Sequence, residues 1–129
     1  MTDTNPVLKM EQITKEFPGV KALENVDFEL NEGEVHCLIG ENGAGKSTLI
    51  KIMTGALSKI SGRILLDGTP VEIDSPQAGR ALGIRAIYQE LDLLPTLSVA
   101  ENIFVESKPT TSAGLIDWTE MNRRAQDLL

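Results

Sequence analysis

Gly40-Glu-Asn-Gly-Ala-Gly-Lys-Ser47 is the stretch on which the fold turns. Before it, Glu34 to Ile39 is almost continuously apolar, the pattern of a central strand covered on both faces. After it, Leu49, Ile50, Ile52 and Met53 form a broad apolar stripe opposite Lys51, as on a helix packed against a sheet, and Gly55 is a natural stop. A turn of this composition between a buried strand and a helix N-terminus, spaced GxxxxGKS, gathers successive backbone N–H groups at one point. Glycine permits the conformations and close approaches that a Cβ blocks. The positive end of the helix dipole adds to the attraction. The amides of Gly43 to Thr48 therefore point to a phosphate, Lys46 to neighbouring phosphate oxygens, and the Ser47 hydroxyl to Mg²⁺. Chance assembly of the four fixed residues at these offsets is on the order of 10⁻⁵ per position.

Outward from this loop, Leu8 and Met10 alternate with Lys9 and Glu11, and Val26, Phe28 and Leu30 alternate with Asp27 and Glu29, predicting half-buried strands of an antiparallel sheet. Ile64 to Leu66 and Val71 to Ile73 flank Asp67-Gly68, a hairpin signal in which Pro70 starts the second arm. Ser75 and Pro76 open a short helix that Gly83 ends, and Ile84 to Tyr88 reads as another strand. Ser98 and Glu101 form a capping box for a helix carrying Val99, Ile103 and Phe104, and 106–114 reads as a loop. After Asp117 a last helix places Met121, Ala125, Leu128 and Leu129 on one stripe with no stop signal, so the chain reads as the front part of a longer one.

The bulk composition narrows the partners. At 129 residues, 41% hydrophobic and 24% charged, the sequence is that of an ordinary globular domain. Twelve Lys and Arg against nineteen Asp and Glu give a net charge of −7, which works against nucleic acid or an anionic membrane surface as main partner. The single Cys37 fits a reducing compartment, cytoplasm by default. The start lacks the pattern of a secretory signal, and no apolar run approaches the ~20 residues that span a bilayer, so any service to a membrane goes through a partner.

A GxxxxGKS loop is shared by kinases, GTPases and many ATPases, so its surroundings matter. From Gly19-Val-Lys-Ala-Leu23, through Gly40 to Leu49, to Ile87-Tyr-Gln-Glu90 and Leu97-Ser-Val-Ala-Glu-Asn102, the chain resembles the nucleotide-binding domain of ABC transporters. Ser75-Pro-Gln-Ala78, Gly83-Ile84, Gln89-Glu-Leu91 and Ala100-Glu-Asn-Ile-Phe104 resemble the ATPases of bacterial importers for ribose, galactose, xylose and similar sugars. The resemblance implies an α/β P-loop NTPase fold, a RecA-like core with an antiparallel β-subdomain, cut before the family's signature motif. It places the β-subdomain and loop core at about residues 5–90 and the start of a helical subdomain at about 91–129, both within an N-terminal portion 1–129. It implies ATP and Mg²⁺ held by Gly40, Glu41, Asn42, Gly43, Ala44, Gly45, Lys46, Ser47 and Thr48. It further implies that Phe17 stacks on adenine and that Gln89 touches the metal and the attacking water, which would make Lys46 and Gln89 the catalytic residues and Ser47 and Gln89 the metal contacts. A core aromatic remains the other reading of Phe17, and a solvated amide that of Gln89.

The implied partners are a membrane permease and a second ATPase domain paired head to tail, with the subunit peripheral at the inner face of the cell membrane. The present sequence carries half of such a site, without signature, Asp-Glu-terminated apolar run or later histidine, and is expected to bind nucleotide weakly and hydrolyse it negligibly alone. In the family the strands flanking Glu34 to Ile39 come later, so the isolated chain is expected to rearrange or to pair with another copy.

Three tempting features are set aside. His36, the only histidine, precedes the loop and reads as a core or sheet-face residue. Ile64-Leu-Leu-Asp67 imitates a Mg²⁺-holding run but is followed by Gly68, which marks a hairpin. Trp118 and Arg123-Arg124 read as packing and a solvated helix face. The rival functions left open are a soluble ABC ATPase of translation or DNA repair, a GTPase or small-molecule kinase, and a non-catalytic binding module.

Overall fold

The computed structural model describes residues 6–88 and 93–129. They belong to two compact units divided after Ile87, each taken by itself below. In the first, β1 (Leu8–Phe17) pairs antiparallel with β2 (Val20–Leu30) on one side and β3 (Ser61–Leu66) on the other, and β4 (Thr69–Val71) makes the edge of the order β2-β1-β3-β4.

Alternation puts Leu8 and Met10 on one face of β1. Ile13, three residues past Met10, belongs on the other face of a regular strand. A bulge at Gln12, whose φ is 53°, shifts the register between Met10 and Ile13 and returns Ile13 to the inner face. Asp27 on β2 holds the bulge by accepting from the Gln12 backbone N–H at 2.7 Å. Met10 and Ile13 are fully buried with Leu8, Leu23 and Ile64, and α1 (Lys46–Met53) covers this face with Leu49 and Ile52. Ile73 completes the core. The outer face is wet: Lys9 pairs with Glu29 at 2.8 Å and with Glu11 at 3.3 Å, and Arg63 reaches Glu11, a charge ladder across three strands.

Local signals hold. Asp67 (φ 48°) and Gly68 (φ 75°) form the tight turn between β3 and β4, and Pro70 sits on the edge strand, where a missing N–H costs no ladder bond. α1 ends at Thr54-Gly55. Ser75 caps α2 (Pro76–Ala81) by accepting from the Ala78 N–H at 3.2 Å.

Two expected strands do not form. Glu34 to Ile39 has no strand geometry, with Val35 and Ile39 92% and 90% exposed, and Ile84 to Tyr88 is likewise irregular, with Ile87 95% exposed. The reason is the ladder. No strand among the described residues lies beside either segment, so neither has a ladder partner to hold it in strand geometry.

The second unit has α3 (Val99–Ile103) and α4 (Trp118–Leu128). Ser98 and Glu101 make the reciprocal capping box, and Asp117 accepts from the Glu120 N–H at 2.9 Å. The 106–114 loop is pinned beyond its far end by a Thr110–Ile116 bridge. Ala100, Met121 and Ala125 form the buried cluster with Phe104 packed on it. Here the sequence pattern is half right, because Met121 and Ala125 are buried while Leu128 and Leu129 are 69% and 89% exposed. α3 buries Ala100 and leaves Val99 exposed. A single turn of helix offers little more than one residue to its neighbour, and two alanines let α3 and α4 close around Met121. No helix among the described residues is long and apolar enough to cross a membrane.

Candidate nucleotide site

The loop from Gly40 to Ser47 turns on a hydrogen bond from the Ala44 N–H to the Glu41 carbonyl at 3.1 Å. Gly43 and Gly45 take φ of 86° and 92°. At Gly45 the requirement is twofold: a Cβ there stands 2.6 Å from the Ala22 carbonyl oxygen and 2.7 Å from Leu23 Cδ2. This contact seats the loop against β2, two residues past the turn that joins β2 to β1. Gly45 is also the N-cap of α1, so no side chain caps that helix, and no acidic residue lies in its first turn. The positive end of α1 is left to face an external anion. The Lys46 ammonium bends back over the loop and donates to the carbonyls of Gly40 and Glu41 at 2.5 and 2.7 Å, which keeps its charge within the cradle. Glu41, Asn42 and Ala44 are exposed, as is Ser47 in the first turn of α1, while Thr48 is half-buried.

Phe17 ends β1 and pairs with Val20 across Pro18-Gly19; Gly19, φ 79°, supplies the value that the third position of a type II turn needs. The ring is 40% exposed, so it is not a core aromatic. The Lys15 ammonium stands 5.6 Å from its centroid. Gln89 lies outside the described residues. The strand hairpin thus brings Phe17 and the loop to one end of the first unit, through the seat of Gly45 on Ala22.

His36 lies outside this arrangement. Its ring meets Phe28 edge-on at 5.0 Å, and its Nδ1 is 3.0 Å from the Glu34 carboxylate. The Asn31 backbone N–H and then His36 hold the Glu34 carboxyl below the ordinary range. Asp67 serves the hairpin turn. Trp118 is half-exposed, and Arg123 and Arg124 both bind Glu120, with Arg123 also reaching Asp127.

Two side chains were not singled out by sequence reasoning. Asn102 accepts from the Leu94 N–H at 2.9 Å and donates to the carbonyls of Leu94, Leu97 and Ser98, tying the loop before α3 to the helix. Its position four residues after a helix cap is the available signal. Lys15, apart from its place over Phe17, donates to the Ser58 carbonyl at 2.6 Å, a contact 43 residues away that no local pattern announces.

Residues 23–129 match the model of the ABC transporter family, and the chain belongs to that family. It is 57% identical over 124 residues to a ribose import ATP-binding protein of Rubrobacter xylanophilus, covering 96% of this chain and 25% of that protein. It is 53% identical over 125 residues to a protein of the same description from Jannaschia, covering 97% of this chain and 24% of the other. The chain therefore spans about a quarter of the length of these curated relatives. In structure it is similar to a nucleotide-free ATP-binding cassette of an ABC transporter, with a TM-score of 0.73 and 30% identity over 93% of this chain and 46% of that one. The fold is accordingly that of the ABC ATP-binding cassette, a P-loop NTPase.

Proposed function

We propose that this chain binds ATP with Mg²⁺ and belongs to the energy-coupling subunit of a sugar importer, where hydrolysis drives transport. The observation that carries the reading is the loop seated on Ala22, with an uncapped helix start and the Lys46 ammonium gathered in one place. The names of the relatives support the sugar.

In this reading the amides of Gly43 to Thr48 hold the β-phosphate, the run Gly40, Glu41, Asn42 and Ala44 shapes the cradle, and Phe17 stacks on the base. Lys46 turns from its loop carbonyls to the β- and γ-phosphate oxygens and neutralises charge that develops as the terminal phosphoryl group leaves. The donor set suits Mg²⁺, which takes few protein ligands and keeps phosphate oxygens and water. Ser47 and Gln89 are its proposed contacts, and the bound ion supplies further charge neutralisation. Among the described residues no group of three or more His, Cys, Asp or Glu gathers as a metal site, and this ion needs none. Residues from about 5 to 90 serve as β-subdomain and loop core, and those from about 91 to 129 begin a helical subdomain. The partners are a permease and a second cassette paired head to tail, at the cytoplasmic face of the membrane, with no nucleic acid.

Titration calorimetry tests the binding step. MgATP gives a saturable heat that GTP matches poorly, and Lys46→Ala weakens it about 10- to 100-fold, as loss of a charged hydrogen-bond donor requires. Equal binding by the variant sinks the reading.

A further inference from the structure

We infer that Lys15 is a positioning residue that sets the plane of the Phe17 ring for base stacking, an inference that rests on Phe17 being the adenine platform. Lys15 and Phe17 are two apart on β1 and so share a face of the strand. Register shifts fall on both sides of Lys15, between Ile13 and Lys15 and between Lys15 and Glu16, but both place the extra residue on β2, so β1 keeps its alternation from Lys15 to Phe17. The ammonium stands 5.6 Å from the Phe17 centroid, within the range of a cation–π contact.

The cation is itself held. It donates to the Ser58 carbonyl at 2.6 Å. That carbonyl belongs to a segment fixed at both ends: the Leu57 N–H donates to Lys51 in the last turn of α1 at 3.0 Å, and the Ile60 N–H to Thr14 at 2.9 Å. Phe17 is 40% exposed at a strand end. A cation against one face orients the ring and leaves the other for a purine. Through Ser58 and Leu57 the platform is tied to the same helix that begins at the phosphate loop.

The test is titration of the chain with MgATP and, separately, with magnesium tripolyphosphate, which has the phosphates and no base. Lys15→Met weakens MgATP about threefold and leaves tripolyphosphate unchanged, which also shows that the loop is folded. Lys15→Arg restores MgATP affinity. In a Phe17→Leu background Lys15→Met adds nothing further. Should Lys15→Met fold poorly, Lys15→Gln, which keeps a polar amide and loses the charge, gives the same pattern. Equal loss for both ligands, or a loss that persists in the Phe17→Leu background, overturns the proposal by making Lys15 a phosphate contact or a structural strut. Unchanged MgATP affinity for Lys15→Met beside a weakened Phe17→Leu overturns it alone. Unchanged affinity for Phe17→Leu overturns the platform reading itself.

Discussion

Gly43 and Gly45 take nearly the same backbone conformation, yet a methyl group at each meets different surroundings. Nothing lies within 4 Å of a Cβ at Gly43, whereas at Gly45 it strikes the Ala22 carbonyl at 2.6 Å. Gly43→Ala is therefore expected to cost only left-handed backbone strain, about 1–2 kcal/mol. Gly45→Ala adds displacement of the loop from β2, so its loss in urea unfolding exceeds that of Gly43→Ala by roughly 1 kcal/mol or more. Equal losses contradict the contact. The spacing of this loop was legible in the sequence because a phosphate cradle constrains residue types at fixed offsets. The return of Lys46 to its own loop carbonyls, and the reach of Lys15 to Ser58, were not, because each depends on where a distant backbone carbonyl comes to rest.

At the scale of elements, caps and turns read true wherever partners lie within a few residues, as with Ser75, Ser98, Asp117 and the Asp67-Gly68 hairpin. Features that need a neighbour across space did not read: the bulge at Gln12 answers to Asp27, and the burial of Ala100 answers to α4. The same distinction predicts the effect of Asn102→Ala. It removes four hydrogen bonds that tie 94–98 to α3, lowers stability by about 1–2 kcal/mol and speeds amide exchange at Leu94. Unchanged exchange at Leu94 argues against the tie. On α4, Arg123 and then Arg124 hold the Glu120 carboxyl at about 2, below its ordinary 4.5. A lowered value in the folded state favours the folded state above the ordinary value, and that contribution is lost as pH falls from about 4.5 toward 2. Circular dichroism of the chain and of Glu120→Gln at equal temperature is expected to show the two converging over that window, and a constant offset across it contradicts the pairing.

For the chain as a whole, the sharpest departure from expectation is the pair of apolar segments at 34–39 and 84–88. Their composition is that of strands, but a strand is a property of two neighbours, and one sequence lists only one of them. Hydrogen exchange should separate the regions: amides of Met10, Ile13 and Ile64 exchange slowest, and those of 35–39 fall near the unprotected limit. Slow exchange at 35–39 in dilute solution shows that these residues have found a ladder, and its disappearance on further dilution shows that a second copy supplied it. The family was legible at this scale through the loop and its flanking motifs, while the sugar of the proposed importer leaves no mark on residues proposed to address phosphate and base.

The abutment of Gly45 on Ala22 has a mechanical corollary. Phe17 and the loop stand at opposite ends of a short rigid caliper, one jaw fixed by the β1–β2 hairpin and the other by the backbone pressed against it. The opening between the jaws is set by main-chain packing, so on the proposed reading exchanging side chains in either jaw would alter how firmly a nucleotide is gripped without altering the length of molecule that fits.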